Sequence, residues 1–214
     1  MPKYPRYQDY VIKAGKFVGE FEEMYQDYDD PWEQSLREED LSYKAITLFL
    51  CKKYNFKRVL ELGCGHGHFS KDLAKAGMEV VGVDISPTAI AKAKELYPQC
   101  DFICGDVLDF DIYKKVDPDC IIFAEVTWYI LDNLKAFLDF YKTWAVKDVN
   151  RPIYLLHLLA IYQQGVQQYG KEFFTNLQGI IDYFGLDYEE YGAMTYKKLD
   201  YASRTYFLGK PFVK

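Results

Sequence analysis

No apolar run in this 214-residue chain reaches the roughly 18 residues that a membrane-spanning helix needs. The first ten residues, MPKYPRYQDY, also lack the apolar core of a signal peptide, so a cytoplasmic protein with no membrane partner is expected. Basic charge is short as well: 26 Lys and Arg stand against 32 Asp and Glu, and the cations are scattered. Nucleic acid recruits proteins through a positive stripe that replaces its counterions, so no nucleic-acid partner is expected. Cys51, Cys64, Cys100, Cys104 and Cys120 are odd in number and follow no framework spacing, the pattern of free thiols in a reducing compartment. There is no internal repeat and no Pro/Gly/Ser-rich linker. Only three histidines occur, His66, His68 and His157, so candidates for proton transfer near neutral pH are few.

Aromatic residues are abundant, and the 20 Tyr, 15 Phe and 3 Trp crowd both ends of the chain. Residues 1–55 read as a helical cap or lid extension and 56–214 as the main domain. Within the extension the apolar spacing predicts one helix over Ser35–Tyr54 and a shorter one near Lys16–Tyr25. Asp29-Asp30-Pro31-Trp32 interrupts them, because Pro31 biases Asp30 away from helix. From residue 57 to about 160, short apolar runs alternate with helical stretches, beginning with RVLEL, HFSKDLAKAG, VVGVD and SPTAIAKAKELY. That alternation marks βαβ units around a parallel sheet, an α/β Rossmann-like fold. Ser86-Pro87 is a strong helix start, and Gly77 is placed to end the preceding helix. After Gln168 a helix through Gly179 and Phe184 leads to Leu186–Tyr196 and Tyr201–Leu208, which read as an antiparallel hairpin closing the sheet.

The informative segment is Val59-Leu60-Glu61-Leu62-Gly63-Cys64-Gly65-His66-Gly67-His68, a buried strand entering a glycine-rich turn at a helix start. Such a turn lets backbone approach a ligand beside the switch point of a doubly wound sheet. Asp84 ends the next strand and can accept hydrogen bonds from ribose hydroxyls, which a dinucleotide enzyme would also provide. Gly63, Gly65 and Gly67, however, form G-x-G-x-G, and His68 stands where the third dinucleotide glycine belongs. Asp106, after Gly105, offers a further carboxylate to an adenine amine, and Glu61 suits an ammonium group. Adenine, ribose and a cationic amino-acid tail match this acidic edge better than two phosphates do.

VLELGCGHGHFS, VVGVDIS and CGDVLDF resemble the motif series of the class I S-adenosylmethionine-dependent methyltransferase superfamily. The resemblance implies a seven-stranded, mostly parallel sheet. It also implies a cofactor set in which Glu61, Gly63, Cys64, Gly65 and Gly67 surround the methionine part. Asp84 would hold the ribose, with its neighbour Ile85 also at the cofactor, Asp106 would meet the adenine, and Val107 would lie against the purine face. Glu125 matches the family's position after the fourth strand, beside both cofactor and acceptor. The DPWEQS stretch is similar to a segment in methyltransferases of the nodulation N-methyltransferase type and in capsule- or sugar-modifying ones.

These features lead to the expectation of a monomeric or homodimeric enzyme that methylates a small polar acceptor. A sugar or sugar-linked metabolite of surface-polysaccharide assembly is the class in view. Two alternatives stand beside it: a nicotinamide oxidoreductase on a similar fold, and a cofactor-binding partner subunit without activity of its own. If the acceptor is a hydroxyl, His157, near the end of the fifth strand, is the first choice of base and His66 the second. Glu125 would orient the acceptor. Tyr129, with Trp128, Tyr25, Tyr28 and Trp32, would form an aromatic lid or else pack as ordinary core, while His68, Tyr169, Tyr191 and Tyr196 read as structural, as does Tyr162 unless its place in the loop after the fifth strand brings it to the substrate. No metal is expected, because Cys64 and His66 occupy a cofactor turn and Cys100 and Cys104 diverge across a strand.

Overall fold

The computed structural model describes residues 2–35, 41–162, 169–196 and 199–213. The chain opens with a short helix α1 (Gln8–Val11) and a two-stranded hairpin, β1 (Ile12–Lys13) and β2 (Lys16–Phe17), followed by α2 (Phe21–Asp27) and α3 (Leu41–Lys53). The helix expected near Lys16–Tyr25 is therefore corrected. Gly15 and Gly19 adopt φ of 73° and 75°, turning the chain twice before α2 starts at Phe21. The N-terminal part of the expected Ser35–Tyr54 helix lies partly outside the described residues.

The alternating zone folds as read: β3 (Arg58–Leu62), α4 (His68–Lys75), β4 (Glu79–Asp84), α5 (Pro87–Leu96), β5 (Asp101–Cys104), α6 (Phe110–Val116), β6 (Cys120–Ala124), α7 (Leu131–Trp144) and β7 (Tyr154–Tyr162). Ser86 caps α5 by accepting the Ala89 N–H at 3.0 Å, with Pro87 at the first helical position. After β7 come α8 (Leu177–Phe184), β8 (Asp187–Tyr196) and β9 (Leu199–Lys210). Helix α8 begins later than expected, at the Asn176 cap, whose side chain accepts the Gly179 N–H at 2.8 Å. The side chain of Tyr196 lies outside the described residues.

Seven strands form one sheet in the order β5-β4-β3-β6-β7-β9-β8. The first five are parallel, and β9 runs antiparallel between β7 and β8. The chain winds outward from β3 to β5 and then crosses back to β6 on the other side of β3. Its switch point, where such sheets bind ligands, thus lies at the carboxyl ends of β3 and β6.

Strand alternation sorts side chains between two helical layers. Leu60, Leu62, Ile121, Phe123, Leu155 and Leu159 pack with Phe137 and Tyr141 of α7 and Phe184 of α8. Val59, Ile122, Leu156 and Leu158 pack on the other face with Leu50 of α3 and Phe69 and Leu73 of α4. Helix α3, in the N-terminal extension, is thus part of the sheet's core.

Candidate active site

Strand β3 delivers the chain into the glycine turn. Gly63 has φ of 70°, and a side-chain carbon there would stand 2.6 Å from Val126 Cγ2, just past β6. The turn is therefore pressed across the switch-point crevice, and only glycine fits both constraints. At Gly65 (φ 54°) the added carbon would meet Tyr25 Oη at 2.7 Å, because Tyr25 of α2 lies over the turn. Trp32 Nε1 donates to that same Oη at 3.0 Å.

Asp84, at the end of β4, fixes the turn from below. Its carboxylate accepts the Gly65 N–H at 2.9 Å and the Ser86 N–H at 3.0 Å, leaving lone pairs for further donors. Burial pushes its pKa up, against the pull of these backbone donors. Glu61 is more extreme. Strand alternation turns it toward α4, where the Ser70 hydroxyl donates to it, and it is 3% exposed. Burial pushes its pKa up to about 7, with Ser70 and the Lys44 ammonium pulling it back. A buried carboxylate that barely holds its charge is a ready receptor for a cation.

Glu61, Asp84 and Asp106 line one cavity of about 410 Å³ at the carboxyl edge of the parallel strands. Gly63, Ile85 and Val107 share its wall, as do Glu125 and Tyr129 from the segment after β6. Cys64, Gly65 and Gly67 do not reach it. They shape the turn from behind, Cys64 buried beside Phe102 and Gly67 directly under that ring.

His157 does not reach the cavity either, which corrects its expected place at the pocket. It shares the Leu155–Leu159 face of β7, fully buried, with its ring stacked on Phe207 at 4.7 Å and packed near Phe184. Its Nε2 lies 2.7 Å from the Thr127 hydroxyl, and burial pushes its pKa down to about 3. It is a neutral core imidazole. His66 is buried against the Tyr25 ring at 4.9 Å and is not part of the cavity wall, so no histidine lines the pocket among the described residues. Burial lowers the pKa of both His66 and His68.

The other side of the cavity is aromatic. Trp32 packs between Tyr7 at 5.2 Å and Tyr129 at 5.6 Å, and Phe21 meets Tyr129 edge-on at 5.6 Å. Burial pushes the Tyr129 phenol far up, so it stays protonated. Glu125 adopts φ of 63°, a strained conformation that aims its carboxylate at the neighbouring strands. It accepts the Ala160 N–H at 2.8 Å and pairs with Arg204 of β9. Tyr162 lines the cavity, in line with the substrate-side alternative for it, whereas Tyr28 does not. Sequence reasoning missed Tyr7, Phe17, Phe21, Asn133 and Arg204, which reach the pocket only through tertiary packing.

A sheet of this topology, with an acidic cavity at its switch point and a G-x-G-x-G turn beside it, is a Rossmann-like α/β fold with its ligand site at the carboxyl edge. Residues 59–144 match the methyltransferase domain family. Putative methyltransferase 235L of Invertebrate iridescent virus 6 is 28% identical over 148 residues, 63% of this chain and 53% of that protein. Trans-aconitate 2-methyltransferase of an Enterobacter species is 29% identical over 140 residues, 60% of this chain and 53% of that protein. The chain therefore spans about half the length of these curated relatives. Among solved structures, the N-methyltransferase NodS from Bradyrhizobium japonicum with bound S-adenosyl-L-homocysteine superposes with a TM-score of 0.63 at 17% identity. That superposition covers 92% of this chain and 99% of NodS. The family match spans residues 59–144 of the 214, and the fold is that of this NodS structure, which holds S-adenosyl-L-homocysteine, the demethylated form of S-adenosylmethionine.

The donor set suits that cofactor. A buried Glu61, its pKa raised to about 7, matches an ammonium. Asp84 keeps lone pairs for hydroxyl donors, and Asp106, holding the Leu108 N–H at 2.8 Å, keeps others for an amine.

Proposed function

We propose that this chain methylates a small polar acceptor with S-adenosylmethionine as donor. The observation that carries the reading is the convergence of Glu61, Asp84 and Asp106 on one cavity beside the glycine turn. In this reading Glu61 holds the ammonium of the amino-acid tail, Asp84 the ribose hydroxyls and Asp106 the adenine amine, with Ile85 and Val107 against the purine. When bound, the cofactor supplies a methyl group already activated by its sulfonium, so the protein's task is alignment of the acceptor. Tyr7, Phe21, Trp32 and Tyr129 exclude water and offer their faces to positive charge.

Glu125 orients the acceptor. Arg204 and the Ala160 N–H already hold its oxygens, which fixes the carboxylate in place. With no imidazole lining the cavity among the described residues, the arrangement favours an acceptor that needs little help losing its proton, such as an amine nitrogen. A sugar-linked amine combines that chemistry with the similarity of DPWEQS to sugar-modifying methyltransferases. The test is a methyl-transfer screen comparing amino sugars with their hydroxyl-only counterparts. Transfer to the amino sugars is expected. Transfer confined to proteins or nucleic acids would overturn the acceptor class.

A further inference from the structure

The loop after α2 and the glycine turn share a second convergence that the methyl-transfer reading does not use. One ligand atom each from Asp30, His66 and His68 lies within 4.8 Å of the others. Two come from the turn's H-x-H pair and one from the N-terminal extension. We infer that Asp30, His66 and His68 form a binding site for a divalent transition-metal ion of the zinc class, clasping the N-terminal extension to the glycine turn.

Two imidazoles and one carboxylate are a borderline-soft donor set that suits zinc and its neighbours rather than calcium or magnesium, and three protein ligands leave a fourth position for water. A tetrahedral site needs ligand atoms about 3.3 Å apart, so the groups must close by roughly 1.5 Å at most. The surroundings are already arranged for this. His68 Nδ1 is 2.7 Å from the Tyr97 hydroxyl; in the tautomer whose Nδ1–H donates to that oxygen, the ring is oriented and Nε2 is free to be the ligand atom. Asp30 is anchored by the Gln34 N–H at 3.1 Å and by the Ser35 N–H at 3.0 Å. His66 is only 6% exposed, held between the glycine turn and the Tyr25 ring. The ring contact of Tyr25 with His66, and the hydrogen bond from Trp32 Nε1 to the Tyr25 hydroxyl, hold the two segments in register beside the site. The site lies outside the cofactor cavity, so its ion is a clasp and not a participant in methyl transfer.

The proposal stands independently of the acceptor and of the cofactor reading. Its test is a titration of the chelator-treated full chain with Co²⁺ at pH 7.5, followed by displacement with Zn²⁺. Expected are one equivalent of Co²⁺ with d–d absorption of a low-coordinate nitrogen/oxygen site, and a higher melting temperature with Zn²⁺, since an ion bound only by the folded state stabilises it. Asp30→Asn and His68→Ala, each checked by circular dichroism for native folding, should weaken binding at least tenfold and abolish the thermal shift. Tyr97→Phe should weaken it roughly tenfold through the freed His68 ring. No binding up to millimolar metal would overturn the site. So would binding that survives in the Asp30 and His68 variants, or a thiolate charge-transfer band pointing to the exposed Cys104.

Discussion

Glu61 and His157 are both buried ionisable groups on central strands, and alternation gives them opposite fates. Glu61 faces α4 and the cavity, while His157 faces α8 and is sealed by Phe184 and Phe207. Because the folded pKa of Glu61 is raised to about 7 from an ordinary 4.5, the native state binds its proton more tightly than the unfolded chain. Stability from this group is thus full below about pH 4.5 and is lost as pH rises through 7, a penalty of at most roughly 3 kcal/mol above that. Glu61→Gln keeps a hydrogen-bond acceptor for Ser70 without the charge. At pH 8 it should raise the melting temperature of the unliganded protein by on the order of 5 °C in calorimetry. For His157, replacement by Leu should strand the Thr127 hydroxyl and cost about 1–3 kcal/mol in denaturant unfolding. The pH dependence of kcat should not move. A shift in that profile would return His157 to the proton-transfer chemistry.

At the scale of elements, the glycine turn and α2 are coupled through one contact, the Tyr25 hydroxyl over Gly65. Gly65→Ala should destabilise by about 1–3 kcal/mol through the left-handed backbone, with a further loss from displacing Tyr25. Removing the hydroxyl in a Tyr25→Phe background should recover part of the second loss. A double-mutant cycle would read this as a coupling of about 1 kcal/mol, and strict additivity would deny the contact.

These elements also show what the sequence made legible. The β3 turn, the Ser86 cap and the strand-end carboxylates are local patterns, and the fold followed from them. The orientation of His157 was hidden because Tyr154–Tyr162 is apolar on both faces, so periodicity could not say which side faces the pocket. Helix α6 is seven residues long and too short to show a period. The hairpin before α2 had a local sign in Gly15 and Gly19, outweighed by the apolar spacing around them.

Across the whole molecule, one cavity is assembled from distant segments. Arg204 meets Glu125 across 79 positions only because β9 inserts beside β7, and Tyr7, Phe17 and Phe21 arrive from the N-terminal extension over the switch point. Neither placement is encoded in local spacing, so the readable half of the site is the strand-end carboxylates with Tyr25, Trp32, Trp128 and Tyr129, while Tyr7, Phe17, Phe21 and Arg204 were out of reach. The central claim concerns the readable half, that Glu61 receives an ammonium in a cavity shared with Asp84 and Asp106. The most direct measurement is calorimetric titration with S-adenosyl-L-homocysteine from pH 5.5 to 8.5, in buffers of different ionisation enthalpy. The account predicts one site per chain, uptake of a proton by buffer near pH 6.5, and a Kd that rises about tenfold per unit below pH 7. In Glu61→Gln the affinity should be weaker at pH 8 and the pH dependence gone. Absence of binding at millimolar ligand, or binding that ignores both pH and Glu61, would contradict it.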